Sequence, residues 1–367
     1  MKQTILSPHN SQRNYGIDLL RLVAAFYVII LHTINKGGIY HTTLPFSFQN
    51  YACDLLLIGS YCAVNIFGII SGYVGYREKQ TKLSYSGYLP LWLTVVFYSV
   101  IITVVYMCIR PVAVTREDLI ISLFPVSKNL YWYFSAYTLV FFLAPFLNRM
   151  VCQSTDGELK LLFLLICCVV AMIEYLGQSF SMENGYSAIW LLLLYLVGAI
   201  MKKTGIGSRL PALAAAILII LLDLCLFLLS IRTPHKQIFI FSFCFEIQSS
   251  YITPFYLASA ILHVLLFSRL KFSAPGQRII GFAAPAAFSV YIVNTQRSFW
   301  NYFMNNRFAS WAVSSSMGMI AKIIGFSLGF VLAVVFLDYF RQKLFQLLGV
   351  KHWAQRLSHV FRKEANV

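Results

Sequence analysis

The sequence predicts an all-α integral membrane protein, a polytopic helical bundle of about ten spans with both termini in the cytoplasm. Three observations carry that prediction. Of the 367 residues, 59% are hydrophobic and 11% are charged, with a mean hydropathy of +0.71, whereas soluble domains carry about 25% charged residues. The apolar residues fall in serial runs of roughly 20, the length a bilayer-crossing helix needs. The basic residues gather in short clusters between those runs, as topology signals do. A water-soluble core of this composition would leave wide apolar patches exposed.

The formal net charge of +16 does not indicate nucleic acid, because the bases form no single patch or arm. No secretory signal peptide is expected, since a polar stretch reaches Tyr15 before the first apolar run and no small-residue cleavage site follows it. The eight cysteines contain no CxxC pair and sit mostly within apolar runs, where cysteine behaves as a small hydrophobe. Neither a metal site nor a bound cofactor is expected.

Taken in order, the spans are placed near 17–34, 52–75, 88–109, 129–147, 159–177, 187–202, 210–231, 239–268, 279–298 and 315–340. With the N-terminus inside, 19 bases lie on the inner side and 9 on or near the outer side. That bias selects the orientation. No internal repeat, low-complexity segment or long linker divides the chain, so residues 1–367 read as one membrane domain.

The first span holds Asp18, Arg21 and His32. Charged groups cost about 2.5–3.5 kcal/mol each inside a span, so they pair or face water. Asp18 and Arg21 stand at i,i+3 and can pair along one face. His32 falls within about 20° of the direction of Arg21 and about 16 Å further along the axis. A cation and an imidazole thus share one stripe running from the inner surface towards the outer leaflet. Snorkelling of Arg21 to inner phosphates and a headgroup position for His32 are the plainer alternative. Histidine is the side chain best suited to general acid/base work near neutral pH.

In the second span Gly68, Ser71, Gly72 and Gly75 permit close helix approach. The buried amide of Asn65 needs partners, which protein or a polar ligand can supply. Arg77, Lys79 and Lys82 follow on the inner side, either as topology signals or as a receptor for an anionic cytosolic ligand. The fourth span opens with Asn129-Leu130-Tyr131-Trp132-Tyr133-Phe134, which an interfacial aromatic belt explains, although such rings also stack on sugars. Asp54, Glu174, Asp223 and Asp338 near span ends read as boundary or pairing residues. The eighth segment is interrupted by Glu246, Gln248, Ser249 and Ser250 before Pro254. It is either a polar outer loop with a short span after it or a broken helix lining a cavity. The end of the ninth span, from Ser289 to Arg297, is rich in donors and suits a cavity lining or an interface equally.

These residues resemble the acyltransferase 3 family of bacterial membrane acyltransferases. The run from Asn14-Tyr15-Gly16-Ile17-Asp18-Leu19-Leu20-Arg21 through Ala25, followed by His32, is similar to the family's first-helix signature. Asn65-Ile66-Phe67 with Ser71-Gly72-Tyr73 resembles its second-helix motif, and Tyr131-Trp132-Tyr133 with Ala136-Tyr137 and Pro145 its fourth. Tyr251-Ile252-Thr253-Pro254-Phe255 and Ser289-Val290-Tyr291-Ile292 are similar to later landmarks. The likeness spans nearly the whole chain in the right order. One departure stands out: many members carry His after Tyr291-Ile292-Val293, where this chain has Asn294. An amide cannot shuttle protons, so acid/base work falls on His32.

The resemblance implies transfer of an acyl group, usually acetyl, from cytosolic acyl-CoA as co-substrate to a hydroxyl of a cell-surface or lipid-linked glycan, by an enzyme of the inner (cytoplasmic) membrane. On that basis His32, Arg21 and Asp18 are the catalytic candidates. Arg21, Arg77, Ser71 and Tyr73 are the candidates for acyl-CoA binding. Asn65, Trp132, Glu246, Tyr291 and Asn294 are expected to line the substrate path. The rival expectation is a transporter or exporter of a small polar solute using the same stripe, against which the sequence shows no inverted repeat.

Overall fold

The computed structural model describes residues 13–77, 87–232, 237–240, 243–246 and 250–356. The chain forms α1 (Tyr15–Asn35), α2 (Ile39–Thr42), α3 (Phe48–Ser60), α4 (Ala63–Gly75), α5 (Tyr88–Ile109), α6 (Arg116–Ser122), α7 (Trp132–Gln153) and α8 (Asp156–Leu164). There follow α9 (Ala171–Gly177), α10 (Ala188–Thr204), α11 (Ala212–Arg232), the strands β1 (Gln237–Ile240) and β2 (Phe243–Glu246), and α12 (Pro254–Phe267). The last helices are α13 (Ala274–Ala283), α14 (Ala287–Thr295), α15 (Arg297–Phe299) and α16 (Ser316–Leu347).

Among the described residues, eight helical stretches are long and apolar enough to cross a membrane. They match eight of the ten expected segments. The other two are the 17-residue α10 and the 14-residue α12. The lipid-facing character is plain on α11, where Leu213, Ile217, Ile220, Leu221, Leu224 and Leu228 are exposed, and on α16, where Leu328, Leu332, Phe336, Leu337 and Phe340 are. Patches of that size are not left facing water.

The eighth segment departs from the expected helix over 239–268. Gln237–Ile240 pairs antiparallel with Phe243–Glu246, Gln237 opposite Glu246, and helix begins only at Pro254. Ile and Phe dominate the ribbon, and β-branched and aromatic residues favour strands. Pro254 stands in the first turn of α12, where its missing N–H costs nothing. At 1.5 Å per residue α12 is about 21 Å long, short of a full bilayer core. The ninth segment is also divided, into α13 and α14, by a 3₁₀ turn at Ala284–Ala286 that contains Pro285.

Helix α1 occupies the centre, packed against α3, α4, α12, α13, α14 and α16. Its start is defined by Asn14, whose side chain accepts from the Ile17 N–H at 3.1 Å, and by Asp18 in the first turn, where a carboxylate suits the helix dipole. The tightest crossing is α4 on α10. A methyl group on Gly72 would overlap the Tyr195 carbonyl oxygen, and one on Gly198 would overlap that of Ile69. Gly72 therefore serves backbone-to-backbone approach, while Gly68 and Gly75 make room for the side chains of Leu194 and Tyr195. Lys203 then closes the end of α7, donating to the carbonyls of Val151, Cys152 and Ser154 at 2.8, 3.0 and 2.6 Å.

Candidate active site

One face of α1 borders two cavities. At the Arg21 end a cavity of about 610 Å³ is lined by Arg21, Ser71, Val74, Gly75 and Arg77, with Tyr133, Tyr137, Pro285 and Phe288 on the opposite walls. At the His32 end a cavity of about 650 Å³ is lined by His32, Lys36, Tyr61, Tyr131, Trp132, Tyr186, Tyr251, Tyr291, Arg297 and Trp300, among others. Between them lies a constriction of about 40 Å³, bounded by Val28, His32, Val64, Phe67, Tyr133, Phe288 and Tyr291. Phe67, Tyr133 and Phe288 belong to the neck and the Arg21 cavity; His32, Trp132, Tyr251 and Tyr291 belong to the neck and the His32 cavity. The three spaces thus form one broken passage along α1. Arg21 and His32 face that enclosed space, not the apolar exterior.

At the Arg21 end, Asp18 accepts from Arg21 Nη1 at 2.6 Å and from Arg13 Nε at 2.5 Å. Its side chain is 8% exposed, against 32% for Arg21 and 49% for Arg13. A nearly buried carboxylate therefore holds two partly open guanidiniums. Arg21 has donors left for a phosphate, since a guanidinium carries five N–H groups. Ser71 donates to the Phe67 carbonyl at 2.7 Å and borders the same cavity. Tyr73 does not. Its ring lies under Lys202 Nζ, 5.0 Å from the ring centre, on a face of α4 turned away from Ser71.

At the other end, His32 Nδ1–H donates to Asn294 Oδ1. An amide oxygen can only accept, so this bond protonates Nδ1 and leaves the Nε2 lone pair free. The imidazole also stands edge-on to Trp300, with ring centres 4.7 Å apart. Asn294 is held in turn because α14 ends on an anchored turn. The Gln296 side chain accepts from the Ser298 and Phe299 amides at 2.8 and 3.0 Å and donates to Thr103 of α5 at 2.9 Å. An imidazole with a fixed tautomer and an open Nε2 can take a proton from a hydroxyl.

The walls of the His32 cavity are aromatic. Trp132 lies nearly parallel to Tyr251 (14°, 6.4 Å between ring centres) and 4.7 Å from Tyr186. Tyr186 is delivered by the loop before α10. Glu174 holds that loop by accepting from the Phe180 and Met182 amides at 2.5 and 2.6 Å, so it is a loop clamp.

Asn65 lies behind this wall and not in it. Its amide donates to the Tyr251 carbonyl at 2.7 Å and its oxygen accepts from Trp190 Nε1 at 2.9 Å. Both partners are protein groups, which leaves Asn65 locking the wall in place. Glu246 falls on β2, and its side chain lies outside the described residues. Asp338 is likewise off the passage. It joins three helices by accepting from Tyr98, Ser289 and Arg341 at 2.8, 2.7 and 2.7 Å. His263 of α12, not singled out from the sequence, is buried beside Tyr27 and donates to the Ser259 carbonyl at 2.8 Å.

Lys36, Tyr61, Tyr186 and Trp300 border the His32 cavity without having been expected there. Only Lys36 had a local signal: four residues after His32, it continues the same helical stripe. The other three reach the cavity from loops and distant helices, which no spacing reveals.

Compared with known protein families, residues 14–340 match the model of an acyltransferase domain, the acyltransferase 3 model. Neither the curated proteins nor the solved structures compared with the chain produced a match.

Proposed function

The chain belongs to the acyltransferase 3 family, and on that premise we propose that this multi-pass membrane acyltransferase moves acetyl from acetyl-CoA at the Arg21 cavity to a glycan hydroxyl in the His32 cavity. The Arg21 end faces the cytosol and the His32 end the far side of the cytoplasmic membrane. The carrying observation is the passage itself. A guanidinium cavity and an imidazole cavity meet at a narrow apolar neck along one face of α1.

Arg21, held by Asp18 and joined by Arg77, binds the donor's phosphates, a pairing for which a guanidinium fork is suited. The acyl thioester enters the neck beside His32. There His32 Nε2 accepts the proton of the acceptor hydroxyl, and the freed oxygen attacks the thioester carbonyl carbon. A C–O bond forms, the C–S bond breaks, and the departing thiolate takes the proton back from Nε2. Asn294 keeps Nδ1 as the fixed N–H throughout. The aromatic walls, Trp132 above all, stack on the sugar. Transient acylation of Nε2 itself uses the same geometry, and a mass increment on His32 after donor addition alone separates the two routes.

The test is the acetyl content of the surface glycan with wild-type protein and with His32→Ala at equal expression. Loss of acetylation is expected; full retention overturns the mechanism. Purified protein in liposomes tests the rival transport reading. Thioester cleavage supports the enzyme, whereas solute flux without cleavage supports a transporter.

A further inference from the structure

The cavity at the His32 end is unbalanced in charge. Lys36 Nζ borders it, 5.5 Å from the centre of the Trp300 ring, and that same ring stands 4.7 Å from the imidazole of His32. Arg297 borders it too, but Asp118 already engages that guanidinium at 3.4 Å. Among the described residues, no carboxylate lines the cavity. Tyr131 and Tyr291 also border it, but both hydroxyl oxygens are buried within the protein. The site therefore offers a cation with no anion to match it.

A neutral sugar brings hydroxyls that both donate and accept. A carboxylate or a phosphate only accepts, and it adds the charge that Lys36 lacks. Partial enclosure makes such a contact worth more than on an open surface. We infer that the acceptor is an anionic glycan, whose carboxylate or phosphate docks on Lys36 while a hydroxyl of the same or the adjoining sugar meets His32. This deepens the glycan-acyltransferase reading and rests on it for the role of His32, but the anion preference is measurable by binding alone. Trp300, touching both side chains, sets the distance between charge and reacting hydroxyl.

The experiment is calorimetric titration of the purified full-length protein at low ionic strength with three probes. They are a glucuronic-acid-containing tetrasaccharide, its carboxyl-reduced neutral counterpart, and glucose 1-phosphate. The acidic tetrasaccharide is expected to bind at least about tenfold more tightly than the neutral one, with the gap shrinking as salt is added. Lys36→Gln removes the gap and Lys36→Arg retains it, which separates loss of charge from loss of fold. Preference for glucose 1-phosphate over the uronate identifies phosphate as the source of the charge; the reverse identifies a carboxylate. Equal binding of the acidic and neutral tetrasaccharides, survival of the gap in Lys36→Gln, or no binding of either anionic probe overturns the inference. Acetyl-CoA cleavage by the same preparation is a separate reading. Anion preference without cleavage sinks the acyltransferase mechanism and leaves the anion site standing.

Discussion

His32 and Asn294 illustrate how much a single contact decides. The imidazole alone can sit in either tautomer, and the bond to Asn294 Oδ1 selects the one with Nε2 open. Asn294→Leu removes the only acceptor this bond has and is expected to lower kcat for acetyl transfer at least about tenfold, part of the about 10²–10⁴ a positioned base contributes. The donor's KM should hardly change, because Asn294 does not line the Arg21 cavity. Asn294→Asp keeps an oxygen acceptor in place and is expected to recover most of the rate; steady-state kinetics on both variants check it. At the other end, Asp18→Asn weakens the restraint on Arg21. It should raise the acetyl-CoA KM several-fold with kcat close to wild type, the pattern of lost uniform binding. The two residues thus predict opposite splits of the same two constants.

Among the elements, α4 against α10 and α16 against α5 and α14 carry the scaffold in different ways. The first is backbone against backbone. Gly72→Val must push α10 away from α4, and overpacking of this kind costs about 1–3 kcal/mol. A lower melting temperature in detergent is the expected reading. The second is an ion pair with little water, Arg341 being 11% and Asp338 0% exposed. Arg341→Met strands a buried carboxylate, which costs about 3–5 kcal/mol. Its melting temperature should fall further than that of Gly72→Val, while the surviving folded fraction keeps the wild-type donor KM. The elements also show where periodicity misleads. The stretch from Gln237 to Glu246 is as apolar as its neighbours, and hydropathy cannot distinguish a strand from a helix of that length. Pairing of Gln237 with Glu246 decides it.

For the molecule as a whole, the question is whether the two cavities act as one path. Val64 borders only the neck. Val64→Phe should therefore abolish transfer to the glycan while weakening acetyl-CoA binding far less, since Arg21 still holds the donor's phosphates; titration of the purified protein measures the affinity. Equal loss of donor affinity and transfer would mean that the neck is where the donor is chiefly held and not a passage for its acyl end. Most of the bundle was legible in the chain, because lipid demands long apolar helices and leaves a pattern that composition alone reveals. The ionisable stripe on α1 was legible for the same reason: a charge placed in a span has to be accounted for.

Contacts between distant segments were not legible. Asn294 meets His32 across 262 positions, Asn65 is claimed by Tyr251 and Trp190, and Tyr73 turns to Lys202 and away from Ser71. Sequence spacing sets which residues share a face of one helix; it does not say what stands opposite that face. Local chemistry and the low dielectric of the bilayer determined the helices, their small-residue crossings and the presence of a polar line through them. Only the assembly of α1, α4, α7 and α14 around a shared space decided that this line borders two cavities and a neck, because enclosed space is a property of several helices at once.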